Sequence, residues 1–356
     1  MASSLFAGSA KQPPAPWHHL LGIAFLALLA NIVEKKAAMR GCHRNPLPAW
    51  FDRFLRVAFL GILAGPSFYA LDSFIGLPIF TPLLVLYLIP YSDLCEQDGG
   101  REHLYARRWW LMGWLRKRFN LKLVKTVDLE KDKAYILGIH PHSVLPFGSM
   151  VALGDETEGS QMKELFPHLK YRTLAATFCF YTPLYRDMLL FGGVVDAARY
   201  SARRILSKGY SLALVPGGAT EALYCYPDRD VVYLKKRRGF VKLALQSGAS
   251  LVPVFSFNEN NTYDLFGLDN PTVDWAKRKF QNIFGISLPF IKNVFPKRCD
   301  ITVVVGCPIA CPQVEEPSKE MIQEYLDKYI EGLKQLYEEN RTKYNKPANK
   351  PPLEVI

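Results

Sequence analysis

Two histidines stand two residues apart in Ile139-His140-Pro141-His142-Ser143, directly after the apolar run Ala134–Ile139. An imidazole so placed can take the proton of an alcohol while the freed oxygen attacks a thioester carbonyl. Residues two apart on an extended chain face the same way. Both rings are therefore expected to project from the carboxyl edge of a sheet, where open α/β folds place their sites. His-x-His is also a zinc-ligand spacing. The other histidines (His18, His19, His43, His103 and His168) give no local third ligand, so neither a metal nor a cofactor is expected. No cysteine or serine sits in a recognised nucleophile setting, Ser143 being the one candidate, so a covalent acyl-enzyme is the less favoured variant.

A second group lies in Leu214-Val215-Pro216-Gly217-Gly218-Ala219-Thr220-Glu221-Ala222-Leu223. Gly217 and Gly218 let the backbone approach a ligand or neighbour closely, and their amides can hold a developing oxyanion. Glu221 can orient a histidine and stabilise its protonated form. A third group, Lys235, Lys236, Arg237, Arg238 and Lys242, opens a helical pattern. Cations there oppose the helix dipole, and the arrangement makes better sense with a bound anion, such as the phosphates of a nucleotide-containing cofactor or substrate. Asn258, Glu259 and Asn260 close the apolar run Ser250–Phe257 near the same edge, as contacts to a hydroxylated acceptor or simply as a turn.

These residues need a frame. Strands are expected at Ala134–Ile139, Thr173–Phe180, Gly193–Asp196, Ser211–Val215, Ser250–Phe257 and Asp300–Val305. Helices are expected at Arg199–Lys208 and at Gly239–Ser247, which Gly248 would stop in a left-handed conformation. The alternation argues for an α/β domain with a mixed, largely parallel sheet flanked by helices. A last helix runs from Ser318 to Tyr344, where Ile322, Tyr325, Leu326, Tyr329, Ile330, Leu333, Leu336 and Tyr337 keep an i, i+3, i+4, i+7 stripe that reads as core packing.

Before this domain the chain is strongly apolar. Leu55–Leu71 and Phe74–Tyr91 are each about long enough to cross roughly 30 Å of hydrocarbon as a helix, and only Asp72 and Ser73 separate them. They are expected to form an antiparallel transmembrane hairpin, with cations at both ends favouring the cytosolic side. The prolines within it also allow a shallower wedge. The expected organisation is a flexible tail at 1–19, an interfacial or partly inserted helix and linker at 20–53, the hairpin at 54–91, a cytosol-facing α/β domain at 92–344 and a C-terminal tail at 345–356. The Trp- and Arg-rich stretch 107–119 suits a headgroup boundary or an amphipathic helix packed on the domain. The net charge of +11 asks for an acidic partner. Nucleic acid fits worst, since no zinc-finger or RNP-type signature occurs. Seven scattered cysteines without a Cys-x-x-Cys pair suit a reduced compartment.

The motifs HPHS (His140–Ser143), PGGATEAL (Pro216–Leu223), RRGFVKLAL (Arg237–Leu245) and LVPVFSFNEN (Leu251–Asn260), in this order, resemble the type-2 diacylglycerol acyltransferase family. That family also holds monoacylglycerol and wax-alcohol acyltransferases. Ser143 stands where the commoner form has glycine, as in plant- and alga-like members. The resemblance implies a glycerolipid acyltransferase-like fold and transfer from acyl-CoA to diacylglycerol, giving triacylglycerol. It also implies an endoplasmic-reticulum membrane protein, cytosolic at both ends, that associates with lipid droplets. His142 would be the base, Glu221 its partner and His140 a support. Acyl-CoA, diacylglycerol and membrane lipid are the expected partners, and a homo-oligomer is compatible with the sequence. Readings from other classes are a non-catalytic lipid-droplet hairpin protein and a metal-dependent lipid hydrolase.

Overall fold

The run Tyr-Ile-Leu-Gly-Ile-His at 135–140 is buried at every position, as a strand covered by helices on both faces must be. It is the second of the strands β1 (Lys122–Lys125), β2 (Tyr135–His140), β3 (Tyr171–Ala175), β4 (Val194–Asp196), β5 (Ser211–Leu214), β6 (Val231–Val232), β7 (Ser250–Phe257), β8 (Thr302–Val305) and β9 (Glu354–Val355). The computed structural model describes Tyr87 and residues 94–356, apart from 103, 183, 268, 269, 285, 286, 288, 289 and 294. The expected tail at 1–19, the segment 20–53 and the hairpin at 54–91 therefore lie outside the described residues, Tyr87 excepted. Contacts divide the chain into Met1–Leu94 with Tyr181–Pro183, and Cys95–Phe180 with Leu184–Ile356. The nine strands among the described residues and the histidine motif belong to the second unit. No helix among the described residues is long and apolar enough to cross a membrane.

The main sheet has the order β1-β8-β7-β2-β5-β3-β4. Its neighbours run parallel except β7 and β8, so the expected mixed, largely parallel sheet is what forms. The helices α1 (Phe147–Gly154), α2 (Arg199–Ser207), α3 (Gly239–Ser247) and α4 (Lys319–Tyr344) flank it. Ser318 caps α4 by accepting from the Met321 amide at 3.1 Å, the usual device for an orphan N–H at a helix start. Gly248 closes α3 at φ 71°, as its place after the last helical residue predicts.

Alternation along β2 sorts the core. Ile136 packs in one layer with Leu212, Leu251, Phe255 and the buried faces of α3 and α4. Leu137 and Ile139 pack in the other, with Val252, Val254 and the α1 residues Val151–Leu153. Gly138 and His140 share the parity of Ile136 and so face α4. There Tyr329 reaches under the strand: a Cβ on Gly138 would lie 2.0 Å from its hydroxyl oxygen. An isolated glycine in a strand often marks such a close approach.

Three expectations need correction. The strand expected at Thr173–Phe180 stops at Ala175, and a 3-10 turn begins at Thr177, whose hydroxyl is drawn to Asp196 Oδ1 at 2.7 Å. The strand β1, not expected, forms at the sheet edge by pairing with β8. Residues 345–356 are no separate tail, since β9 pairs with β6 and Leu353 and Val355 enter the core. Replacing Gly138 by Ala is expected to destabilise the fold by about 1–3 kcal/mol through overpacking. Denaturant unfolding of the G138A/Y329F pair should show recovery of part of that loss.

Candidate active site

Glu221 ends a short helical turn, Gly218–Glu221, that follows β5. Its side chain is almost wholly buried, at 1% exposure. A carboxylate removed from water has to be met by donors. Oε1 accepts from the His142 backbone amide at 2.8 Å, and Oε2 from the Tyr233 amide at 2.9 Å. Oε1 also lies 3.5 Å from Nδ1 of His140. The carboxylate curls back over its own turn, where a Cβ on Gly217 would sit 2.1 Å from Oε2. Gly217 is thus required for room, and Gly218, at φ 55°, for conformation.

His140, in β2, has no exposure. Its Nε2 lies 3.2 Å from the Tyr329 hydroxyl, which is also 3.1 Å from the Gly138 carbonyl oxygen. Tyr329 has one hydroxyl hydrogen to give. If it goes to Gly138, Nε2 donates to Tyr329, and Nδ1 facing a carboxylate needs a second hydrogen. If it goes to Nε2, Nδ1–H again points at Glu221. Either way both ring nitrogens are engaged inside the fold, and none is left to take a proton from outside.

His142 lies beyond the end of the strand, and Ser143 turns the chain with φ 51°. The rule that places residues two apart on one face therefore stops applying at His140, and the expected pair of equivalent imidazoles does not form. The His142 ring is half-buried. Its Nδ1 is 2.9 Å from the Ser143 carbonyl oxygen, which can only accept, so Nδ1 carries the hydrogen and Nε2 keeps its lone pair. Glu221 consequently reaches His142 through the backbone amide and His140 through the ring, where the expectation was a direct pair with the His142 imidazole.

The Glu221 carboxylate packs against the Gly217-Gly218 turn but takes its hydrogen bonds from the His142 and Tyr233 amides. The Gly218 amide is spent on the Val215 carbonyl at 3.1 Å, and a second negative oxygen beside the carboxylate would be repelled. The turn expected to hold an oxyanion thus lies directly against the Glu221 carboxylate. In the basic run, Arg237 turns inward and donates to the Gly217 carbonyl and the Thr220 hydroxyl, each at 2.8 Å. Lys235, Lys236 and Arg238 are exposed and Lys242 half-buried. Arg238 bonds Gln323 of α4.

The four expected acceptor contacts are interior groups. Ser143, 1% exposed, donates to the Glu259 carbonyl at 3.2 Å, with Cys225 Sγ 3.3 Å away. Asn258 donates to the Asp300 and Tyr344 carbonyls and accepts from the Lys346 amide. Asn260 donates to Asp230 Oδ1 at 3.2 Å. The Glu259 carboxylate accepts from the Gly148 amide at 2.8 Å, in the first turn of α1, and from Ser256 Oγ at 2.5 Å. The side chains of all four are buried and bonded to groups of the protein itself. Ser143 and Glu259 act instead on the loop that carries His142.

The sequence model of the diacylglycerol acyltransferase family matches residues 73–354. The chain belongs to that family. Diacylglycerol O-acyltransferase 2 of Xenopus tropicalis is 36% identical over 96% of this chain and 92% of its own length. The protein of the same name from Danio rerio is 32% identical over 85% and 91%. The 2-acylglycerol O-acyltransferase 1 of Bos taurus is 36% identical over 78% and 84%. A solved 1-acyl-sn-glycerophosphate acyltransferase from Thermotoga maritima aligns over 89% of this chain and 97% of that one, at 12% identity. Its TM-score of 0.38 is too low to carry an argument.

In this acyltransferase the sequence reading missed Tyr329, which it placed in a packing stripe, and the Tyr233 amide. Gly138, alone among β-formers, was the readable sign that something presses on β2. Nothing local marks Tyr233. Burial pushes the Glu259 carboxyl up from 4.5 to about 7, against the opposing hydrogen bonds of Ser256 and the α1 amides. Between those values the folded protein keeps a proton that the unfolded chain has lost, so stability falls as pH rises through the window, by at most about 3 kcal/mol. Denaturant midpoints at pH 5 and pH 8 should differ in that sense, and in Glu259→Gln the difference should largely vanish.

Proposed function

We propose that this protein transfers a fatty acyl group from acyl-CoA to the free hydroxyl of diacylglycerol, with His142 as the general base. One observation carries the assignment of the base. The Nδ1–H of His142 is held by the Ser143 carbonyl at 2.9 Å, leaving Nε2 of a half-buried ring without a partner among the described residues, while both nitrogens of His140 are engaged inside the fold. Nε2 takes the hydroxyl proton as the oxygen bonds to the thioester carbon. The tetrahedral adduct collapses, the carbon–sulfur bond breaks, and the imidazolium returns the proton to the leaving thiolate. Glu221 acts in this reading through the chain, fixing the amide of His142 and the ring of His140.

The outward cations Lys235, Lys236, Arg238 and Lys242 are suited to the phosphates of acyl-CoA, as point charges at the start of α3. Arg237 ties that segment to the Glu221 turn. The apolar run 55–91 supports a setting in the endoplasmic-reticulum membrane, with both chain ends on its cytosolic side and access to lipid droplets. A 2-acylglycerol acceptor is a second reading, favoured by the bovine relative's name and its 36% identity.

Purified protein given labelled oleoyl-CoA with diacylglycerol, 2-acylglycerol or a long-chain alcohol in turn should esterify diacylglycerol fastest. His142→Ala should lower kcat by about 10²- to 10⁴-fold, with stability near that of the parent. Near-normal turnover in His142→Ala would remove the base assigned above.

A further inference from the structure

Lys350 is 1% exposed and Asp230 2% exposed, a buried ion pair that the proposed chemistry does not use. Lys350 Nζ lies 3.3 and 3.4 Å from the two Asp230 oxygens. The Tyr337 hydroxyl, on α4, is 3.0 Å from Asp230 Oδ2, and the Asn260 amide is 3.2 Å from Oδ1. A buried charge pair is better tolerated when further hydrogen bonds meet its oxygens, and here Tyr337 and Asn260 join Lys350 on the Asp230 carboxylate. It pins the C-terminal segment at one point. Beyond it the chain runs along β6: the Glu354 amide donates to the Asp230 carbonyl at 3.1 Å, the Ile356 amide to Val232 at 3.0 Å, and the Leu234 and Lys235 amides to Ile356 at 2.9 and 3.0 Å.

The strand β6 leads straight into the site. The next residue, Tyr233, gives its amide to Glu221 Oε2, and Arg237 bonds Gly217 and Thr220 on either side of the same turn. A two-residue pairing such as β6 with β9 is marginal unless packed. Leu353 and Val355 supply that packing by entering the core beside Val232 and Leu234. We propose that residues 350–356 are a positioning element of the active site: anchored by Lys350, they hold Val231–Lys235 in place so that Tyr233 keeps the Glu221 carboxylate on the histidine loop. The role rests on the reading of Glu221 given above. Lys350 and the strap touch no substrate and act only through Tyr233 and Glu221.

Deleting Leu353–Ile356 removes β9 but keeps the Lys350–Asp230 pair, so the fold should survive. The deletion is expected to lower kcat at least tenfold while KM for oleoyl-CoA moves less than threefold. In a Glu221→Gln background the same deletion should cost under twofold, because groups acting on one another are not additive. An equal factor in both backgrounds, or an unchanged kcat, overturns the proposal. Hydrogen exchange at the Tyr233 amide probes the same link without turnover. Its protection should drop at least tenfold on deletion, and unchanged protection overturns the proposal even if the reaction assigned to the site is wrong. Lost protection together with normal activity in His142→Ala would instead keep the strap and remove the catalytic reading.

Discussion

A carboxylate buried at 1% exposure has either to find donors or to give up its charge, and the architecture around Glu221 is arranged to supply donors. They come from segments far apart in the chain: the His140–Ser143 loop, the Tyr233 backbone beyond β6, and the His140 ring. Each is itself fixed by something else. Gly217 makes the room, Arg237 ties the turn to the start of α3, and Tyr329 of α4 closes the far side of His140. The hydrogen bonds to the carboxylate therefore do not only neutralise it; they lock a loop, a turn and two helices into one register. Removing one partner of such a buried set leaves the others unpaired, which makes these contacts more consequential than their individual bond energies suggest.

A second buried carboxylate supports the same loop from behind. Glu259 receives amides of α1 through its side chain and the Ser143 hydroxyl through its backbone. Ser143 in turn offers its carbonyl to the His142 ring. The orientation of the imidazole thus depends on a chain of contacts that passes through the interior. A ring held this way has little freedom to reorient, since Ser143 and Glu259, on which its orientation depends, are both buried.

The two histidines divide the labour because the sheet divides them. His140 is the last residue of β2, on the parity that faces α4, and becomes an interior group between Glu221 and Tyr329. His142 lies two residues beyond the end of the strand, with its ring half-buried. Strand parity fixes the face that His140 meets, whereas His142 is placed by the turn at Ser143.

The sequence alone was enough for the family, through four ordered motifs, and for the alternating α/β architecture, through apolar runs of strand length and their punctuation by glycine. It also singled out His140, His142 and Glu221, because unusual residue types at strand ends stand out locally. It could not say which imidazole meets the carboxylate, that Glu221 packs back against the Gly217-Gly218 turn, or that Ser143, Asn258, Glu259 and Asn260 look inward. Those outcomes depend on which segments the sheet order brings together. Nor could it show that residues 345–356 belong to the domain, since their prolines and polar side chains read as a tail, and only a buried aspartate contributed by a segment more than a hundred residues earlier gives Lys350 a reason to be inside. Residue type and spacing report local preference; pairing between distant charges is settled by topology.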